Sequence, residues 1–195
     1  MVVDGFDKTE PLGVALGMTK EDTISYIPFF VNKYLKEPVS VVVKNADDEM
    51  VAVQLCSIES RHQHQSDDLY TKLKPTAKAL RVFEFLVHME NDIWSLVPPD
   101  VNHILKLQIT YVRPDYTGRG IAKQMSSMRM DTARKLGCQG ISTTSTNAIT
   151  QHLRLKEGYQ PLKTVMYEDW KDNEGNVIFR MKDASDRAIL TFKRF

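Results

Sequence analysis

Residues 109–125 read ITYVRPDYTGRGIAKQM, and no other stretch limits the possible folds so tightly. A β-branched run stops at Pro114, two glycines flank an arginine, and a helix-forming segment begins at once. Gly118 and Gly120 open backbone conformations closed to other residues and let a ligand come close to the chain. The first amides of the following helix have no partner within it, and its dipole favours negative charge there. With Arg119 and Lys123 alongside, a diphosphate fits this corner. A plain connecting turn also accounts for the two glycines taken alone. Two other phosphate loops are excluded. The dinucleotide fingerprint needs glycine where Lys123 stands, and the P-loop needs Gly-Lys-Ser/Thr.

The rest of the chain predicts a mixed α/β domain. At 195 residues and 42% hydrophobic content, one domain with a real core is expected. A net charge of +1 gives no global field toward nucleic acid or membrane. No apolar run approaches the roughly 20 residues of a membrane span. The segment MVVDGFDKTE lacks the apolar stretch of a signal peptide. Cys56 and Cys138 read as free thiols. The expectation is a soluble cytoplasmic protein without nucleic-acid or membrane partners, monomer or homodimer.

Periodicity places the elements. EDTISYIPFFVNKYLKE carries Ile24, Ile27, Val31 and Leu35 at helical spacing behind a cap at Thr19 or Thr23, with Pro28 starting or kinking the helix. SVVVK and MVAVQLCSI predict a hairpin across NADDE. Residues 61–75 predict a loop, in which His62 and His64 are too few to hold a metal. Helices follow with stripes at Leu80, Phe83, Val87 and Ile93, and at Ile121, Met125, Met128 and Leu136 ahead of Gly137. HILKLQITYV and CQGISTTST predict strands, and NAITQHLRLKEGY a helix capped by Asn147. LKTVMYEDW, NVIFRM and AILTFKRF close the chain as strands, with KDASDR a solvated connection. The alternation of strand and helix in the middle requires parallel pairing there. Trp94, Trp170, Tyr111 and Tyr167 fit an aromatic pocket or plain packing.

VRPDYTGRGIA resembles the acyl-CoA-binding motif of the GCN5-related N-acetyltransferases, Arg/Gln-x-x-Gly-x-Gly/Ala after a strand ending Val-x-Pro. Its positions fall on Thr117, Gly118, Arg119, Gly120, Ile121 and Ala122, with Thr117 in place of Arg or Gln. NAITQHLRLKEGY resembles the family's second block, matching at Asn147, Leu153, Gly158 and Tyr159. Thr150 replaces its Ala and Arg154 its Tyr. Both blocks stand in register, and the likeness covers about residues 40 to 195. It implies a single N-acetyltransferase domain over 1–195, whose opening strand is short or missing. The implied sheet is mixed and mostly antiparallel, with splayed central parallel strands flanked by helices. It further implies acetyl-CoA as co-substrate, its pyrophosphate on the glycine turn beside Lys123, Asn147 and Arg154. A bulge in the strand LQITYV would free amides near Thr110, Tyr111 and Val112 for the pantetheine arm.

TEPLG, PDYTGRGIA and MYEDWKDNEGNVIF are most similar to the arylalkylamine N-acetyltransferase-like group of invertebrates. That likeness implies a small primary amine acceptor such as dopamine, tyramine, octopamine or serotonin. A polyamine or protein amino group is the alternative within the class, and a non-catalytic acyl-CoA-binding module the alternative outside it. HILKLQITYV supplies no acid, so the implied general base is Glu10. Arg154 cannot donate a proton near neutral pH, although it can stabilise a thiolate. Thr146 and Thr150 stand where insect relatives carry serines, and a proton relay would pass through them or water.

Overall fold

The computed structural model describes residues 2–62 and 73–195. Four short helices lead: α1 (Val2–Thr9), α2 (Pro11–Ala15), α3 (Lys20–Ile24) and α4 (Ile27–Tyr34). The hairpin β1 (Val41–Lys44) and β2 (Met50–Ser60) follows, then α5 (Ala77–Glu90), α6 (Ile93–Leu96) and β3 (His103–Val112). The chain continues through α7 (Ile121–Lys135), β4 (Gly140–Ser145), α8 (Ala148–Lys156), β5 (Gln160–Met166) and β6 (Arg187–Arg194). Among the described residues, no helix is long and apolar enough to cross a membrane.

The strands form one six-stranded sheet in the order β1-β2-β3-β4-β6-β5. Only β3 and β4 are parallel, and their register runs only from Ile104↔Gly140 to Lys106↔Ser142. Beyond that point the two strands diverge, as the predicted splayed sheet requires. Thr143 bridges the start of the gap, its hydroxyl donating to the Leu107 carbonyl at 3.2 Å.

The bulge falls within LQITYV, as expected. Leu55 pairs with Ile109 and Cys56 with Leu107, so the extra residue is Gln108, upstream of Thr110–Val112. Thr110, Tyr111 and Val112 instead pair in register with Gln54, Val53 and Ala52. The inserted residue resets the alternation of side chains. Leu105 and Leu107 pack with Ala133 of α7 and with Ile141 and Tyr159, and beyond the bulge Val112 packs with Ile121 and Met125 of α7. Ile109 and Tyr111 turn to the other face, against Tyr34 and Phe6.

That second face carries the main core, built from α2 to α6 around Leu12, Tyr26, Phe83, Phe85 and Phe179. Lys106 is buried there, 5% exposed, and pairs with Glu59 of β2 and Glu90 of α5. Thr144 of β4 donates to Glu90 at 2.7 Å, and Gln108 donates to Ser57 at 2.9 Å. Charged and polar side chains thus tie β2, β3, β4 and α5 together where main-chain pairing between β3 and β4 ends.

Several predicted stripes rotate. Thr19 caps α3 with a reciprocal Asp22 bond, but Pro28 starts a separate helix, so Ile24 and Leu35 lie exposed. Leu80, Val87, Met128 and Leu136 are also exposed. On α7 the face toward the sheet is Met125, Ser126 and Ala133, so the helix is turned away from Met128 and Leu136. NVIFRM forms only a bridge from Val177 to Lys171, with Phe179 in the core. Ser185, in the segment expected to be solvated, is buried and accepts from the Ala148 amide at 3.1 Å. Both cysteines are free, as expected. His62 sits in a turn, whereas His64 lies outside the described residues.

Candidate active site

The glycine corner is built by backbone. Tyr116 and Thr117 close a short 3-10 turn, their amides donating to Arg113 and Pro114. Gly118 and Gly120 then take φ of 75° and 74°, a region where a Cβ is strained. The first amide bonded into α7 is that of Gln124, to the Gly120 carbonyl at 3.1 Å. Among the described residues the amides of Gly118, Arg119, Gly120, Ile121, Ala122 and Lys123 have no protein partner. Thr117 departs from the expected set, since its amide and hydroxyl both turn back to Pro114.

Charge at this corner is uneven. Arg113 is held bidentate by Asp115 and lies over the Tyr116 ring at 4.8 Å. Arg119 lies over the same ring at 4.5 Å and donates only to the Asp115 carbonyl, so its charge is uncompensated by any ion pair among the described residues. Lys123 is exposed one turn further on and lines a cavity of about 330 Å³ between α7 and α8. Ser126, Met130, Leu153, Lys156 and Tyr159 also line it.

Beneath this groove runs a buried polar chain. Gln54 donates to Thr110 and to Ser126, each at 3.1 Å, and Arg154 donates to Ser126 at 3.2 Å and to Glu157 at 2.8 Å. Arg154 is 2% exposed, so its charge is neutralised internally by Glu157. Three buried atoms around this chain have no partner among the described residues: Gln54 Oε1, Arg154 Nε and Ser145 Oγ. Strand alternation puts Ser145 on the same face as Ile141, toward α7 and α8. Asn147 caps α8, accepting from the Thr150 amide at 2.8 Å. That bond fixes Thr150 on the first turn of α8.

Opposite this face, Glu10 closes the far end of the splay. It follows α1 directly and caps α2, where Oε2 accepts from the Gly13 amide at 2.6 Å. The Thr146 hydroxyl, just past the end of β4, lies near enough to the same carboxyl to lower its pKa. Burial pushes the Glu10 carboxyl above the usual carboxylate range, outweighing the influence of Gly13, Leu12 and Thr146, which lowers it. Tyr26 and Tyr167 flank it, and desolvation keeps both phenols protonated. Tyr167 donates to the Thr146 carbonyl at 2.6 Å. Glu10 and Thr146, 136 positions apart in sequence, therefore meet. Thr150 stays with the Asn147 cap.

Other side chains around the site carry no signal in the sequence. Gln54, Ser126 and Tyr26 have no local signature, because their roles depend on contacts between distant segments. Glu59 with Glu90 supplies the acids that β3 itself lacks, yet both are committed to Lys106. Trp94 lies under Arg61, and Trp170 packs edge-on against Phe85 and at a tilt against His88, so neither joins the Glu10 cluster.

No family model matches this chain, and no curated protein matches it. Solved structures do. Arylalkylamine N-acetyltransferase 2 of Aedes aegypti superposes with a TM-score of 0.78 at 20% identity, over 94% of this chain and 86% of that one. The polyamine N-acetyltransferase of Drosophila melanogaster, which forms N-acetylagmatine, gives 0.73 at 19% identity, over 100% and 91%. The C-terminal condensation domain of Ebony, solved with beta-alanyl-dopamine, gives 0.77 at 24% identity, over 100% and 90%. At these identities the likeness establishes the fold: this chain has the fold of these acyl-transfer proteins.

Proposed function

We propose that this protein is an acetyl-CoA-dependent N-acetyltransferase acting on a small primary amine, with arylalkylamines first among the acceptors. One observation carries the reading. A half-buried, hydrogen-bonded carboxylate with a raised pKa stands at one side of a splayed parallel pair, and a row of unpartnered amides stands at the other. The amides of Gly118–Lys123, with Arg119, suit the diphosphate of coenzyme A. The unpartnered Gln54, Ser145 and Arg154 atoms suit the amide and hydroxyl groups of a pantetheine arm. Bound acetyl-CoA supplies the activated acyl group.

The chain's own residues handle the amine. With an amine pKa near 10.4, only about 0.1% is free base near neutral pH, a handicap of roughly 4 kcal/mol. Glu10 accepts the proton, and its raised pKa makes it a stronger base than an exposed carboxylate. Thr146 holds that carboxylate in place. Arg154 keeps a positive charge buried where the family places tyrosine, balanced by Glu157. It tempers negative charge on a departing sulfur but delivers no proton, so the proton comes from Thr150 or water.

Acetyl-CoA is incubated with dopamine, tyramine, octopamine, serotonin, agmatine, a polyamine and a peptide amine, and released thiol is read with a chromogenic disulfide. Turnover fastest with an arylalkylamine is expected. Fastest turnover with agmatine, the polyamine or the peptide moves the acceptor to another amine class. Coenzyme A binding without turnover of any amine leaves a non-catalytic binding module.

A further inference from the structure

We infer that Gly5 and Tyr111 are a positioning pair, setting the base Glu10 against the strand that borders the co-substrate. The inference rests on the proposed role of Glu10. Gly5 is buried in the middle of α1. A Cβ there would lie 2.0 Å from the Tyr111 hydroxyl oxygen, 2.8 Å from Cζ and 3.2 Å from Cε2. The ring cannot step aside cheaply. It is 5% exposed and packed among Tyr34, Val53, Leu55 and Phe6.

The contact reaches Glu10 through one rigid element. Thr9 donates its hydroxyl to the Gly5 carbonyl at 3.1 Å, and the Glu10 amide donates to Phe6 at 2.8 Å. Gly5 and Glu10 are thus about 7.5 Å apart along one helical run. A shift of α1 at Gly5 is therefore carried to the carboxylate and away from Thr146. Tyr111 itself belongs to β3, between Thr110 and Val112, with its ring on the face opposite the one where Gln54 and Ser126 gather. One aromatic ring thereby indexes the base to the strand on which the acyl donor would lie.

The test is Gly5→Ala in two backgrounds, the natural chain and Tyr111→Leu, with thermal melts confirming folding. In the natural chain kcat should fall about tenfold or more, since displacements near 1 Å have effects of this size. KM for acetyl-CoA should stay within about threefold. The acid limb of the kcat–pH profile should move to lower pH, because a displaced carboxylate regains water. The phenols of Tyr26 and Tyr167 sense its charge; Asp7 and Asp22 act in turn on Tyr26, and Asp183 and Asp186 on Tyr167. With leucine at 111, adding alanine at 5 should change kcat less than about threefold, as the obstructing ring is gone. Equal losses in both backgrounds, or an unmoved acid limb, overturn the inference. If Gly5→Ala does not fold, the double variant must fold and turn over; failure to do so overturns it as well. Full activity in Glu10→Gln is a different result, removing the base assignment and the inference with it.

Discussion

The two sides of the splay are built on opposite principles. The glycine corner offers main-chain amides, exposed and preformed, with charge supplied by one guanidinium and one amine. The Glu10 side offers a side chain, half-buried and held by the Gly13 amide, with Leu12 and Thr146 close by. Backbone chemistry depends on conformation, so it survives changes such as Thr117 for Arg or Gln. Side-chain chemistry depends on placement, so it needs α1, the end of β4 and Tyr167 all in position. The first side can be altered by degrees; the second should fail abruptly.

The largest effect should come from the seam between the two sides. Lys106→Met leaves Glu59 and Glu90 half-buried without their cation, and breaking a buried pair costs up to about 3–5 kcal/mol. Urea denaturation should show a loss of that size. A midpoint unchanged from the natural chain would mean that the charge cluster does not hold the splay.

Glu10→Gln comes next. It keeps an acceptor for the Gly13 amide but removes the base, so kcat should drop about 10²- to 10³-fold. Calorimetric affinity for coenzyme A should stay unchanged, because the glycine corner is untouched. Loss of affinity instead would mean that the two sides are coupled rather than independent.

A smaller change is expected from Gly120→Ala. No atom lies within 4 Å of the added Cβ, so the penalty is conformational, about 1–2 kcal/mol for a non-glycine residue at this φ. Coenzyme A should bind about 5- to 30-fold more weakly by calorimetry, with kcat at saturation nearly intact. A fall in kcat without a change in affinity would place the corner's role elsewhere.

The smallest expected effect concerns stability against pH. Raising the folded pKa of Glu10 means that the folded state holds its proton more tightly than the unfolded chain. That contribution is full below the unfolded value of about 4.5 and is lost as pH rises through the folded value. Glu10→Gln removes the penalty, so its melting temperature should exceed that of the natural chain at pH 8. The difference should vanish near pH 4. A difference that grows toward acid would reverse the sign of the assignment.

The same contrast explains what the sequence discloses. Gly118 and Gly120 are legible because a turn of this conformation selects glycine directly, and the short spacing to Lys123 keeps the motif local. Asn147 is legible for a similar reason, as its cap acts three residues away. Glu10 is reached only through resemblance and through the lack of an acid in β3. Nothing local predicts that Thr146 would meet it or that Tyr26 and Tyr167 would enclose it. The bulge falls at Gln108, inside the strand expected to carry it, although nothing local marks which of its residues is the extra one. Met128 and Leu136 mislead because apolarity suggests burial, whereas the buried face of α7 runs through Met125, Ser126 and Ala133. Arg154 matches a family position that faces the co-substrate, yet Glu157, three residues on, already pairs with it.

An amide-resolved NMR titration with coenzyme A is the most direct test of the account. Saturable shifts should centre on Gly118, Arg119, Gly120, Ile121 and Ala122 and spread to Thr110 and Ser145, with Gly13 beside Glu10 little changed. A spectrum in which these amides stay still while coenzyme A is present in excess would contradict the account.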